Sequence, residues 1–141
     1  MTETQIKKGL VCSAFDILHA GHMLMLKDAK AHCDFLIVGL QIDPSITDQS
    51  YRGKKKESPI MDLKERKIIL EGIKYIDEIF VYADEPDLLK AIKKLGPHIR
   101  ILGSDWEGKH VTGQEHATEV YYHKRDHDYS TSNLRERIKK S

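Results

Sequence analysis

The chain has 141 residues, a length typical of one compact domain, so we expect a single domain over residues 1–141. Its 23 lysines and arginines nearly balance its 22 aspartates and glutamates, and a formal net charge of +1 argues against the broadly basic surface that duplex nucleic acid requires. Any bound anion must therefore be held by a local group of residues. The two cysteines, Cys12 and Cys33, are too few for a disulfide framework and favour a reducing compartment.

The N-terminal segment, MTETQIKKG, has no apolar stretch of the kind found in secretion signals. No run in the sequence approaches the roughly 18 apolar residues of a membrane span. We therefore expect a soluble, cytoplasmic protein that binds neither a membrane nor nucleic acid.

Short apolar segments alternate along the chain with segments of helical length. Strands are predicted at residues 9–15, 34–41, 78–82, 99–103 and 119–124, and helices at 21–33, 61–73, 86–95 and 133–140. In the first helix, Leu24, Ala31 and their neighbours at i+3 and i+4 are predicted to form the buried stripe. The polar segment 43–58 is predicted to be a mobile loop. This alternation favours an α/β fold, a doubly wound, Rossmann-like parallel sheet with helices on both faces.

The stretch AFDILHAGH, residues 14–22, runs from the end of the first predicted strand into the start of the first predicted helix. In such a sheet, ligands bind outside the carboxyl ends of the strands, and a helix N-terminus offers free N–H groups and a partial positive charge. His19 and His22 would point toward an anion there, and Gly21 would let the anion approach the backbone. Asp16 would orient a histidine or help to hold a metal ion. The stretch therefore predicts a site that grips a polyphosphate.

Other interpretations of the same residues stay open. Two histidines with Cys12 or Cys33 are of zinc-ligand type, although the zincin arrangement uses histidines at i and i+4 with a glutamate between them. Asp16 also suits a turn cap, and MLML at residues 23–26 suits core packing. The lysines at residues 54–56 suit a solvated loop.

AFDILHAGH resembles the (T/S)FDxLHxGH signature of the HxGH nucleotidyltransferase superfamily, with the same Phe-Asp pair and the same spacing. ERKIILEGIKYIDEIF resembles the second signature helix of that superfamily, GSDWEGK resembles a segment of CTP:glycerol-3-phosphate cytidylyltransferases, and YSTSNLRERI resembles the ISTTxI ending. These enzymes join the α-phosphate of a nucleoside triphosphate to a phosphorylated alcohol and release pyrophosphate. The resemblance implies the same chemistry here, with Mg²⁺ as the cofactor and a homodimer as the assembly.

The resemblance also implies roles for individual residues. His19 and His22 would contact the triphosphate and stabilise the transition state, and Arg125 would hold the β- and γ-phosphates with Ser130 and Thr131. The implied catalytic residues are His19, His22 and Arg125. The implied nucleotide-binding residues are Ser13, Ala14, Phe15, Asp16, Gly21, Lys55, Arg66, Gly103, Asp105, Trp106, Arg125, Tyr129, Ser130 and Thr131.

Three of these residues carry alternatives. Lys55, or a neighbouring lysine of the 54–56 run, would close over the phosphates. Trp106 would pack beside the base or serve as a structural anchor. Arg66 would bind the nucleotide or lie on the surface. The chain also departs from the superfamily, with Ser13-Ala14 where Gly-Thr is common and Asp126-His127-Asp128 where Thr-Glu-Gly is common near the acceptor pocket.

We therefore expect an enzyme that transfers a cytidylyl group from CTP to a small phosphorylated alcohol, with glycerol 3-phosphate as the leading acceptor. The first alternative is an ATP-dependent adenylyltransferase of the same superfamily, acting on a sugar phosphate or on flavin mononucleotide. The second alternative is a nucleotide-binding regulatory module without turnover.

Overall fold

The computed structural model describes residues 5–47 and 58–141, and over these residues it forms one parallel sheet covered by helices on both faces. The strands are β1 (Lys8–Ser13), β2 (Phe35–Gln41), β3 (Glu78–Tyr82), β4 (Ile99–Gly103) and β5 (Glu119–His123). The helices are α1 (Ala20–Ala31), α2 (Pro44–Thr47), α3 (Leu63–Glu71), α4 (Glu85–Leu95) and α5 (Thr131–Lys140), and two short 3₁₀ turns cover Ser104–Trp106 and Gln114–His116.

The five strands stand in the order β3-β2-β1-β4-β5, with every neighbouring pair parallel. The central strand β1 pairs with β2 on one side and with β4 on the other, so the direction of winding reverses at β1. In doubly wound sheets the loops diverge at such a point and leave a crevice outside the carboxyl ends of the strands. The predicted fold class is confirmed.

The core has one layer on each face of the sheet because side chains alternate along each strand. Val11 packs with Leu26 of α1 and Leu70 of α3 on one face. Leu10, the preceding residue, packs with Leu88 of α4 on the other face. The nearly continuous apolar strands seen in the sequence therefore supply both layers.

The predicted stripe of α1 is wrong. Leu24 is 42% exposed and Ala31 is exposed, whereas Leu26 and Ala29 are fully buried. The run MLML places apolar side chains at four successive positions, which point in all directions around a helix. The pattern therefore could not select the buried face.

Helix ends differ from the predicted bounds by at most two residues, and capping residues explain several of the differences. Asp62 accepts a hydrogen bond from the backbone N–H of Glu65, so α3 begins at Leu63. Ser130 caps α5, which starts two residues earlier than predicted. Within the polar segment 43–58, residues 44–47 form α2, and the predictions for the lysines at 54–56 lie outside the described residues.

Along the described residues, no helix combines the length and the hydropathy that crossing a membrane requires.

Candidate nucleotide site

The turn that leaves β1 has an uncommon backbone. Phe15 and Ile17 have φ values of +50° and +47°, in the left-handed region that residues with a Cβ rarely adopt. Both side chains are buried, and the buried Asp16 lies between them. A turn of this kind persists only when its surroundings hold it in place.

Asp16 supplies part of that support. Its carboxylate accepts hydrogen bonds from the backbone N–H groups of Ile60 and Met61 at 2.8 and 2.9 Å, and from Arg135 Nη2 at 2.9 Å. The carboxylate therefore faces the entry to α3 and one side of α5. The prediction that Asp16 orients a histidine is wrong, since backbone N–H groups orient both imidazoles, as described below.

Arg66 supplies the rest of that support. Its side chain is 2% exposed and donates hydrogen bonds to four backbone carbonyls, those of Met61, Ala14, Gln41 and Ile42. The guanidinium thus connects the chain after β1, the end of β2 and the start of α3. The alternative of a surface arginine is wrong, and the carbonyl contacts show how Arg66 fixes the turn that carries Asp16.

The two histidines of the HAGH segment form the N-terminal cap of α1. His19 is the N-cap residue, and its Nδ1 accepts a hydrogen bond from the backbone N–H of Gly21 at 3.0 Å. His22 Nδ1 accepts from the backbone N–H of His19 at 3.2 Å, which completes a reciprocal capping box. The ring centroids lie 4.0 Å apart. Because each Nδ1 accepts, the hydrogen of each neutral ring is on Nε2.

The surroundings disfavour positive charge on both rings. Burial, with a smaller effect from neighbouring His19, lowers the pKa of His22 to about 3 against the opposing effect of Asp16. Burial also lowers the pKa of His19, and Arg125 and His127 add to this shift. At neutral pH both imidazoles are therefore uncharged N–H donors.

The structure gives a reason for glycine at position 21 that the sequence did not indicate. A Cβ at this position would lie 2.8 Å from His19 Cε1 and 3.0 Å from His127 Cε1. Two imidazole rings occupy the space in which a side chain would stand, so Gly21 lets the histidines pack closely. The approach of an anion to this backbone stays a prediction, and Gly21 lines the cavity.

Arg125 and the start of α5 line the same cavity as these rings. Arg125 Nη2 donates to the carbonyl of Tyr129 at 2.8 Å, and Thr131 Oγ1 lies 3.3 Å from His19 Nε2. Ser130 Oγ accepts from the N–H of Asn133, so this hydroxyl caps α5. The structure therefore places the N-termini of two helices beside one another, and both favour an anion.

A cavity of about 300 Å³ joins these groups. From the first half of the chain it is lined by Ser13, Phe15, His19, Gly21 and His22. From the second half it is lined by Gly103, Asp105, Trp106, Arg125, Tyr129, Ser130 and Thr131. Ala14 and Asp16 line an adjoining cavity of about 1000 Å³, Arg66 holds carbonyls beneath the β1 turn, and Lys55 lies outside the described residues.

Two histidines of the cavity were not predicted as site residues. His123 ends β5, and its Nδ1 lies 2.7 Å from Asp28 Oδ2, which also accepts from the Tyr121 hydroxyl at 2.8 Å. Burial raises the pKa of Asp28, but the hydrogen bonds from His123 and Tyr121 and the electrostatic effects of His123 and His32 together bring it below its ordinary value. His127 lies in the loop before α5. Polar residues directly after a parallel strand were the available signal in the sequence.

The ligand types suggested for zinc are not assembled in the described part of the chain, where no group of three or more histidine, cysteine or acidic side chains is placed to hold a metal ion. The Nδ1 atoms of His19 and His22 accept backbone hydrogen bonds, and the Asp16 carboxylate is engaged by three donors.

Comparison with known proteins identifies the family. Residues 10–137 match the cytidylyltransferase-like family. The chain belongs to this family. The membership predicted from AFDILHAGH is confirmed, and the matched residues include every described element of the site from β1 to most of α5.

The relatives of this chain include larger proteins. The chain is 39% identical over 127 residues to the bifunctional protein HldE of Helicobacter pylori strain 26695, and 41% identical over 129 residues to that of Helicobacter hepaticus. Each alignment covers 90% of this chain, which spans only about a quarter of each relative, 26% and 25% respectively.

Solved structures share the fold. A lipopolysaccharide core biosynthesis protein from Thermoplasma volcanium is 25% identical with a TM-score of 0.69, and the match covers 86% of this chain and all of that one. A pantoate-beta-alanine ligase from Francisella tularensis, 17% identical with a TM-score of 0.60, has a similar fold over 95% of this chain and 67% of its own.

Proposed function

We propose that this chain transfers a nucleotidyl group from a nucleoside triphosphate to a phosphorylated sugar or related alcohol and releases pyrophosphate. The observation that carries the proposal is that His19 and His22 at the start of α1 line one cavity together with Arg125 and the start of α5. Phosphates are bound by this combination of N–H donors, helix N-termini and a guanidinium. The family membership supports a transfer reaction over simple anion binding.

We infer that the nucleotide is ATP and that the acceptor is a sugar phosphate. The HldE relatives and the lipopolysaccharide core protein favour adenylyl transfer to a sugar phosphate over cytidylyl transfer to glycerol 3-phosphate. The pair predicted first, CTP with glycerol 3-phosphate, stays the second candidate because GSDWEGK resembles those cytidylyltransferases.

The proposed reaction needs positioned donors more than it needs a base. A phosphate oxygen of the acceptor attacks the α-phosphorus, the bond from that phosphorus to the bridging β-phosphate oxygen breaks, and pyrophosphate leaves with its electron pair. Negative charge grows on the oxygens around the α-phosphorus and on the leaving group. The Nε2–H groups of His19 and His22 donate to these oxygens, and Arg125 holds the leaving phosphates.

In the proposed reaction, Mg²⁺ would be bound mainly through the phosphates of the substrate. Mg²⁺ in nucleotide enzymes is often held by one or two carboxylates plus phosphate oxygens. The Asp16 carboxylate does not fit that role, since two backbone N–H groups and Arg135 already occupy its oxygens. No step of the reaction above is assigned to the metal.

The test is pyrophosphate release with ATP or CTP against sugar 1-phosphates, glycerol 3-phosphate and phosphocholine. We expect turnover with ATP and a sugar phosphate, and a loss of about 10²–10³ in kcat for His19→Ala and for His22→Ala. His116→Ala, on the exposed Gln114–His116 turn, is the matched control and should act as wild type. Faster turnover with CTP and glycerol 3-phosphate would select the second candidate. Tight nucleotide binding without turnover of any pair would select the regulatory module.

A further inference from the structure

His127 shares the hydrogen-bonding arrangement of His19 and His22. Its Nδ1 accepts a hydrogen bond from the backbone N–H of Tyr129 at 3.1 Å. The same bond is made to His19 by Gly21 N and to His22 by His19 N. Because an accepting Nδ1 cannot carry the hydrogen, all three neutral rings present an Nε2–H donor.

The His127 ring lies at the phosphate cavity. Its Cε1, the carbon between the two ring nitrogens, lies 3.0 Å from the place where a Gly21 Cβ would stand, beside the His19 ring. His127 lines the cavity of about 300 Å³ together with His19, His22 and Arg125. The third ring thus packs against the glycine of the HAGH segment.

The donor has no partner within the protein. His127 Nε2 is buried and makes no hydrogen bond to the described residues. A buried N–H without an acceptor is unfavourable, and in native structures such a group calls for a specific explanation. A bound group with exposed acceptor oxygens, placed between Arg125 and the two helix N-termini, would satisfy it.

We propose that His127 is a third imidazole of the phosphate site and donates from Nε2 to an oxygen of the triphosphate and of the departing pyrophosphate. This inference rests on the proposed nucleotidyl transfer. It assigns a ligand contact to a residue of the Asp126-His127-Asp128 segment, where the chain departs from the Thr-Glu-Gly common in its superfamily. The ligand class is a polyphosphate, and the contact is with oxygen alone, so it does not depend on the base.

Two substitutions separate this contact from a structural role in the loop. In His127→Asn, the side-chain oxygen can accept a hydrogen bond from the Tyr129 N–H in an Asx turn, but no donor remains at the place of Nε2. In His127→Gln, the amide N–H reaches the place of Nε2, but the short turn contact is lost. A ligand contact predicts that Gln rescues and Asn does not, whereas a purely structural role predicts the reverse.

The experiment is calorimetric titration of inorganic pyrophosphate into the full chain with Mg²⁺ present. We expect His127→Asn to weaken binding about tenfold or more, and His127→Gln to recover most of that loss. His116→Asn is the matched control, and far-ultraviolet circular dichroism checks that each variant is folded. Wild-type affinity in His127→Asn, or rescue by Asn in place of Gln, overturns the proposal.

A second measurement needs no stable Asn variant. In protein with ¹⁵N-labelled histidine rings, the His127 signals are assigned by their loss in His127→Gln. We expect these signals to report hydrogen on Nε2 and to shift when pyrophosphate is added, and signals that stay unmoved at saturation overturn the proposal. Failure of the proposed function appears elsewhere, as absence of pyrophosphate release by the wild-type chain with every substrate pair.

Discussion

At the scale of single residues, the HAGH segment works through backbone amides that fix its imidazoles. His19 and His22 each receive a backbone N–H at Nδ1, so each presents the same nitrogen to a ligand. The lowered pKa of each ring keeps that nitrogen an uncharged donor at neutral pH. Arg125 and the helix N-termini contribute positive charge at this edge of the sheet.

The lowered pKa of His22 makes stability depend on pH. Its folded pKa is about 3, and an unfolded histidine titrates near 6.5, so between these values the unfolded chain binds the extra proton. The contribution of neutral His22 to the free energy of unfolding is fully present above about pH 6.5 and is lost progressively as the pH falls toward 3. We expect the free energy of unfolding, measured with urea, to fall less steeply from pH 6.5 to 4 in His22→Asn than in wild type. Parallel pH profiles of the two proteins would contradict this assignment.

Arg125 tests whether a guanidinium is needed or only a positive charge. A planar guanidinium can hold two phosphate oxygens at once, which an ammonium cannot do. We expect Arg125→Lys to lower kcat/KM for the nucleotide by about tenfold or more, since one such contact is worth roughly 1.5–3 kcal/mol, with the urea midpoint unchanged. Arg137→Lys, an exposed position on α5, is the control. Arg125 would leave the proposed site if its lysine variant kept wild-type kcat/KM.

At the scale of secondary-structure elements, α1 is held to the last strand by a polar cluster. Asp28 of α1 accepts from Tyr121 and lies beside His123 of β5, and His32 stacks on the Tyr121 ring with centroids 3.8 Å apart. The last strand leads to Arg125 and His127, which line the cavity. The cluster therefore joins α1, which begins with the HAGH segment, to the strand that precedes these residues.

The Asp28 cluster can be tested without changing the size of the side chain. In Asp28→Asn, the charged acceptor of two hydrogen bonds is lost, and we expect unfolding free energy to fall by about 2–3 kcal/mol at pH 7. Because the folded pKa of Asp28 is lowered, its contribution is present at neutral pH and is lost in acid. Urea unfolding measures both. Glu107→Gln, an exposed side chain, is the control, and an equally small loss in both variants would refute the role of Asp28.

The sequence could predict those parts of the site that lie close together along the chain. AFDILHAGH placed His19 and His22 at a helix start because strand, turn and cap are local features. Tyr121 and His123 beside Asp28, and His127 beside Gly21, come from the other half of the chain, and the strand order that brings them together is not a local pattern. The carbonyl contacts of Arg66 could not be predicted for the same reason, since its four acceptors lie in three separate segments.

At the scale of the whole molecule, Arg66 fixes the backbone segments that border the crevice, at the strand where the winding of the sheet reverses. One buried guanidinium bonds carbonyls after β1, after β2 and before α3. A charge this deeply buried is tolerated only because its N–H groups have acceptors. The site at the carboxyl edge and the packing of the sheet thus share one side chain.

Arg66→Lys retains the charge and removes the fork of donors. We expect it to lower the free energy of unfolding by about 3 kcal/mol or more, since several hydrogen bonds from a charged group are lost together and a buried ammonium is left poorly satisfied. Urea unfolding of Arg66→Lys, Arg125→Lys and Arg137→Lys compares the effect of the same substitution on the free energy of unfolding at three positions. An Arg66→Lys protein as stable as Arg137→Lys would show that the carbonyl contacts contribute little.

The strained turn after β1 has a consequence for transplanting the motif. Phe15 and Ile17 keep their left-handed backbone because residues 60 and 61, Arg66 and Arg135 hold Asp16 and the neighbouring carbonyl in place. These supports come from the entry to α3 and from α5, far from the motif in sequence. The nonapeptide AFDILHAGH therefore does not hold this conformation by itself. Grafted onto another parallel sheet without those supports, it would relax, and the two imidazoles would lose their common direction.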